Sequence, residues 1–206
     1  MPKFVVNRNA AQLAPVELGA RVKALRQARQ WTLDEAGTHM GLSRAALSKI
    51  ERNEMSPTFQ TMQKLAQGFG LEWVELIGSR PGVAGAGSQA PTCRRSVTRA
   101  DEGARYDMPN YGIRLLTGEL KNTAFVAAEV QIKARAFAEY KDWDRHNDED
   151  FLFVLAGEMV LHTEHYAPVT LSAGDSVYFD ACMGHACVSI GPEDARALWI
   201  TQPIAR

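Results

Sequence analysis

The segment Thr32-Leu-Asp-Glu-Ala-Gly-Thr-His-Met-Gly41-Leu-Ser43-Arg-Ala-Ala-Leu-Ser-Lys-Ile-Glu-Arg52-Asn53 decides the reading of the first part of the chain. Thr32 followed three residues later by Glu35 is a capping box: each side chain satisfies a backbone N–H that a helix leaves unpaired at its start. The helix so opened runs to about Met40 and stops at Gly41, which is free to take the left-handed conformation of a tight turn. Ser43 supplies a second N-cap, and residues 44–52 read as the next helix with Leu47 and Ile50 on its buried side.

Helix, short Gly-containing turn, helix is the pattern of a helix-turn-helix unit. Outward from it the helical period continues. Leu18, Val22 and Leu25 recur at i, i+4, i+7 upstream, and Met62, Leu65, Ala66 and Phe69 do so downstream. Ser56-Pro57 is expected to open the downstream helix with Ser as cap and Pro in the first turn. Residues 72–77 read as a short closing helix, and Trp31 as a core or staple residue. Gly37, inside the first helix of the unit, is expected to weaken it by about 0.5–1 kcal/mol relative to Ala.

Beyond residue 80 the period changes to short strand-like segments broken by Gly, Pro and Asp: 124–132, 151–155, 159–162 and 176–179. Between the two regions lies Ser79-Arg-Pro-Gly-Val-Ala-Gly-Ala-Gly-Ser-Gln-Ala-Pro-Thr92, with too little bulky side chain to offset its ordering entropy, and so read as a linker. The domains expected are an N-terminal arm (1–16), an all-α unit (17–78), the linker (79–92) and an all-β unit (93–206).

The chain has 206 residues, 46% of them hydrophobic and 23% charged, which excludes wholesale disorder and allows a real core. Its formal net charge of -1 argues, taken whole, against a strongly basic nucleic-acid binder. Split at residue 80 the picture reverses: 11 Lys and Arg against 7 Asp and Glu before it give +4, and 12 against 17 after it give -5. No run approaches the ~18 apolar residues of a membrane span, and residues 1–20 carry no export-signal pattern, so a cytoplasmic location is expected. Cys93, Cys182 and Cys187 form no C-x-x-C pair and are expected as reduced thiols.

Residues 25–35, 41–54 and 56–58 together resemble the XRE family of phage-repressor-like helix-turn-helix domains, over about residues 17–77. One departure is Ala36-Gly37, where that family has a bulkier residue followed by Ala. The resemblance implies that the second motif helix enters the major groove of a double-stranded operator. Ser43, Arg44, Ala45, Ser48 and Lys49 are then the base-facing candidates. Arg44 has the geometry for two hydrogen bonds to guanine, and Ala45 for contact with a thymine methyl. Thr32 and Ser43 would place helix N-termini at phosphates, with Arg52 and Asn53 as further phosphate contacts. Taken singly, an exposed Arg or Lys is only a solvated charge, and Thr32 and Ser43 cap helices whether or not DNA is present.

Asp144-Arg-His146-Asn-Asp-Glu-Asp150 running on to Gly157, and Gly174-Asp175 running on to His185, resemble the two cupin motifs over about residues 110–200. The fold implied is a double-stranded β-helix, a jelly roll with a cavity between its sheets. Asp144 stands where that family has its first His, Asp150 replaces Glu, and His146 and His185 match. Three readings stand: one divalent cation (Zn, Fe, Mn or Ni) held by His146 and His185 with Asp144 or Asp150, a metal-free cavity in which these residues bind a small molecule or each other, or a set of solvated loop residues with no joint role. Cys187 is expected to be a buried apolar residue, His162 and His165 solvated, and Tyr178 and Phe179 sheet-packing.

An XRE-like reader, a linker and a cupin together imply a dimeric, non-enzymatic regulator of transcription that senses a small-molecule effector or metal, with no membrane partner. The alternatives are a metal-dependent oxygenase or isomerase carrying a DNA-binding domain, and a cupin that only dimerises the reader.

Overall fold

The computed structural model describes residues 18–77 and 93–203, apart from residues 72, 94, 118, 119, 121 and 122; the expected arm and linker lie outside the described residues. The first body is five helices: α1 Leu18–Ala28, α2 Leu33–Met40, α3 Arg44–Glu51, α4 Phe59–Phe69 and α5 Trp73–Ile77. The capping box at Thr32 forms as the sequence implies, with the Glu35 N–H donating to Thr32 Oγ1 at 3.2 Å and the Thr32 N–H to Glu35 Oε2 at 2.7 Å. Gly41 ends α2 at φ 60°, and Ser43 Oγ accepts from the Ala46 N–H at 3.2 Å to open α3.

The cap of α4 is Thr58, whose hydroxyl accepts from the Thr61 N–H at 3.3 Å, and not Ser56. The Ser56 hydroxyl donates instead to the Asp107 carbonyl at 2.7 Å, a partner 51 residues away that no local pattern reveals.

Val22, Leu47, Met62, Leu65, Leu76 and Ile77 are fully buried at the centre of the helical body. One ion pair ties its ends together. Arg26 meets Glu51 through two bonds of 2.6 and 2.8 Å, their side chains only 14% and 6% exposed, and also donates to the Trp31 carbonyl at 2.9 Å. The two-pronged geometry fixes the end of α1, the loop after it and the end of α3 in one contact. Trp31 packs as expected, stacked on His39 at 4.3 Å and on Phe69 at 6.0 Å.

Gly37 is more than a weak point in α2. A Cβ built there would stand 2.6 Å from the Leu42 carbonyl oxygen, and the Leu42 N–H already donates to the Gly37 carbonyl at 2.9 Å. The chain leaving α2 folds back over this position so closely that only glycine fits.

The second body is two facing antiparallel sheets. Six strands run in the order β1-β2-β3-β9-β4-β7 and three in the order β6-β5-β8, a jelly-roll barrel of the cupin kind. The strands are β1 Arg105–Asp107, β2 Tyr111–Leu115, β3 Val126–Ile132, β4 Asp148–Ala156, β5 Glu158–Thr163, β6 Val169–Ser172, β7 Ser176–Asp180, β8 His185–Ser189 and β9 Ala195–Pro203. Alternate residues of β2 (Tyr111, Ile113, Leu115) and β4 (Asp148, Asp150, Leu152, Val154) turn inward. The same alternation corrects the expectation for Tyr178 and Phe179: Phe179 is buried and Tyr178 is 58% exposed, because neighbours on a strand face opposite ways. Cys187 is buried as expected, and all three cysteines are free thiols.

The start of α4 rests on the barrel. Besides the Ser56 contact, Gln60 Nε2 donates to Asp142 Oδ2 at 3.1 Å.

Helix propensity alone would make Gly37→Ala stabilising by about 0.5–1 kcal/mol. The close approach of the Leu42 carbonyl predicts the opposite sign, a loss of about 1–3 kcal/mol from overpacking, measurable by urea denaturation.

Candidate functional site

The first candidate is the outward face of α3. Leu47 and Ile50 anchor its inner side, which turns Arg44, Ala45 and Lys49 to solvent. Arg44 Nη1 lies 3.2 Å from Asp34 Oδ2 with both side chains about two-thirds exposed (67% and 66%). Such a pair is worth about 0–1 kcal/mol, so the guanidinium is readily released to another acceptor. Ser48 is half-buried, its hydroxyl bonded by Arg52.

Two expected phosphate contacts carry structural duties. Arg52 is held two-pronged by Glu54 at 2.6 and 2.9 Å. Asn53 takes a left-handed φ of 56° and accepts from the Gly19 N–H at 3.1 Å, which joins the end of α3 to the start of α1.

The second candidate lies inside the barrel. β4 and β9 pair in a register that sets Asp150 opposite Thr201, and the Thr201 hydroxyl donates to Asp150 Oδ1 at 2.8 Å. His146, just before β4, is held by its backbone N–H to the Ala181 carbonyl at 2.9 Å. A backbone bridge between Asp144 and His185 brings the start of β8 alongside. His146, Asp150 and His185 thereby converge, with one ligand atom from each all within 4.8 Å of one another.

The neighbours decide which atoms face the centre. His185 Nδ1 sits 3.0 Å from the Met183 carbonyl, which only accepts, so Nδ1 carries the proton and Nε2 of the neutral ring keeps its lone pair. Burial, with the charge of His146 adding to it, lowers the His185 pKa to about 4 and keeps that ring neutral. His146 faces carboxylates on both sides: Nδ1 is 2.7 Å from Asp148 Oδ2 and Nε2 is 3.2 Å from Asp150 Oδ2. Burial alone would lower its pKa, but the two carboxylates outweigh that and hold it at about 9.

Asp150 is wholly buried, and its Oδ2, though near His146, makes no hydrogen bond. A buried carboxylate oxygen with no hydrogen bond, between two imidazoles, is a donor set that fits a divalent cation. His146, Asp150 and His185 are the residues that would hold it.

Asp144 does not join that cluster. It lines the same cavity, and burial raises its pKa to about 7 against the opposing charge of His146 and the Tyr111 hydroxyl. Of the four barrel residues singled out in the sequence, three converge and the fourth sits at the wall. His165 is exposed as expected, whereas His162 stacks on Phe137 at 5.0 Å.

Sequence reasoning missed Asp148, which orients His146, and Thr201, which holds Asp150. It also missed Phe59 and Trp73 of the helical body, which line the cavity. The period-2 pattern of β4 does mark Asp148 as inward-facing. Nothing local marks the others.

Comparison with known proteins follows the same division. A helix-turn-helix family model matches residues 22–76 and a cupin-domain family model residues 131–201. The HTH-type transcriptional regulator SutR of Escherichia coli is 42% identical over 60 residues, 29% of this chain and 34% of SutR. The chain thus spans about a third of that relative's length. The HTH-type transcriptional regulator y4dJ of Sinorhizobium fredii is 35% identical over 60 residues, 29% of this chain and 78% of y4dJ. The crystal structure of an HTH_3 family transcriptional regulator from Vibrio cholerae covers 92% of this chain and 96% of its own at a TM-score of 0.57 and 21% identity, a likeness of fold.

Thr201→Val keeps the shape of the side chain and removes the hydroxyl that holds Asp150 Oδ1. The expected result is a loss of about 1–3 kcal/mol in urea unfolding of the full chain, with Thr201→Ser close to wild type.

Proposed function

The chain belongs to the helix-turn-helix family of transcriptional regulators, here with a C-terminal cupin domain, and from that premise we propose that it binds an operator sequence through α3 and senses a small molecule or metal in its barrel. The observation that carries this reading is the exposed first turn of α3, with Arg44, Ala45 and Lys49 on a helix whose opposite side is locked into the core. In the major groove Arg44 leaves Asp34 and donates two bonds to guanine O6 and N7, while Ala45 meets a thymine methyl. Lys49, one turn on, reaches a base or a phosphate. The capped N-termini at Thr32 and Ser43 present backbone N–H groups to phosphates, and Ser48, Arg52 and Asn53 border the same surface.

A single reader of charge +4 binds weakly, so the working form is a homodimer on half-sites about one helical turn apart. We place it in the cytoplasm with its DNA; among the described residues no helix is long and apolar enough to cross a membrane.

The barrel supplies the input. A cation on His146, Asp150 and His185 would be a Lewis-acidic centre with positions left for a small ligand; zinc, iron, manganese and nickel all accept such a set. This triad beside a cavity also favours a second reading, a metal-dependent oxygenase or isomerase fused to a DNA-binding domain. Turnover of a substrate by metal-loaded protein is required by the second reading and not by the first.

Selection of operator sequences from random DNA, followed by mobility-shift titration, tests the reader. Arg44→Ala is expected to lose about 5–150-fold in specific affinity with unchanged thermal stability. Log affinity is expected to fall linearly with log salt, by roughly 0.9 per phosphate contact. A mutant that keeps sequence-selective binding, or a flat salt response, would sink the assignment.

Titration of chelator-treated protein with Zn²⁺ or Co²⁺ tests the barrel. One equivalent is expected to bind, with Asp150→Asn losing tenfold or more in affinity and Asp144→Asn little changed. Equal losses in both variants would point to a different ligand set.

A further inference from the structure

The barrel cavity is not closed by the barrel alone. Two of the residues that line it, Phe59 at the start of α4 and Trp73 at the start of α5, come from the helical body. Phe59 stands edge-on to His146, ring centres 5.5 Å apart and planes at 70°, and edge-on to Trp73 at 5.3 Å and 73°. Phe59 is half-buried and Trp73 buried, so these rings are seated against their neighbours. Edge-to-face pairs at this spacing are attractive and orientation-dependent.

Around this contact hydrogen bonds also join the two bodies. The Ser56–Asp107 and Gln60–Asp142 hydrogen bonds both lie at exposed positions.

We propose that α4 and α5 form the lid of the barrel site, and that Phe59 and Trp73 are binding residues through which its occupant acts directly on the helical body. The inference rests on the sensing reading above and deepens it. A cation on His146 fixes the ring against which Phe59 is packed, and an organic ligand fills the space walled by Phe59, Trp73 and Trp199. The cavity is open on one side, where Phe59 and Trp73 stand at its wall. Among the described residues its lining, apart from Asp144, His146, His185 and Thr201, is aromatic and aliphatic, which suits a ligand with an apolar body. Coupling is then reciprocal: what stabilises the docked lid tightens the occupant, and the occupant tightens the lid.

Hydrogen exchange on the full chain, with Zn²⁺ alone as the probe, tests this. In wild type, amides of β4 and β8 and also those of α4 and α5 are expected to exchange at least fivefold more slowly once Zn²⁺ is bound. In Phe59→Ala the β4 and β8 response is expected to remain and the helical response to vanish. Phe59→Leu, which keeps an apolar side chain, is expected to lose most of that response and serves if the Ala variant does not fold. Slowing confined to the barrel in wild type, or an undiminished helical response in both variants, overturns the lid while leaving the metal site standing. No response in either body removes the cation from the site, and the coupling with it.

Discussion

A wholly buried carboxylate is the constraint around which the barrel is arranged. Taking Asp150 out of water costs several kcal/mol even after relaxation, so its oxygens need compensation from groups fixed beforehand. One oxygen receives the Thr201 hydroxyl across the β4–β9 register, and the other lies near His146. His146 is in turn set by Asp148, and His185 by the Met183 carbonyl. Each link is a backbone or side-chain bond from a different strand or loop, so the site exists only when the two sheets have closed. Asp150 Oδ2, 3.2 Å from His146 Nε2, is the atom through which this carboxylate would join His146 and His185 in holding a cation.

The helical body solves a different problem. Its short helices have little stability of their own and depend on contacts between them. The buried Arg26–Glu51 pair, the Asn53 bond to α1 and the close turn at Gly37 bind the ends of α3 to its neighbours. The net charge of -1 is the sum of +4 over residues 1–80 and -5 over residues 81–206. The structure adds that the two bodies meet at the mouth of the cavity, where an aromatic ring from one is packed against an imidazole of the other.

Much of this was legible in the residues. The capping box at Thr32, the stop at Gly41 and the cap at Ser43 act within three or four residues, and all appear where the sequence puts them. The strand-like segment 151–155 lies within β4, and the resemblance to the cupin motifs singled out His146, Asp150 and His185 together with Asp144. The same local logic failed where a distant partner intervened. Ser56 has the composition of a cap but is taken by Asp107, and Gly37 reads as a weak helix residue until the Leu42 carbonyl comes to lie over it. Asp144 lies two residues from His146, both before β4, and lines the same cavity, yet it stands outside the cluster.

The sequence by itself determined the two fold classes, the charge division between them and the residue types available to each site, because these depend on spacing and composition along the chain. Only the tertiary structure decided that three of four candidate residues converge, that Thr201 and Asp148 support them, and that Phe59 and Trp73 line the cavity. Those facts depend on strand register and on how one body is seated on the other. Both are set by contacts between residues tens of positions apart, which no local pattern encodes.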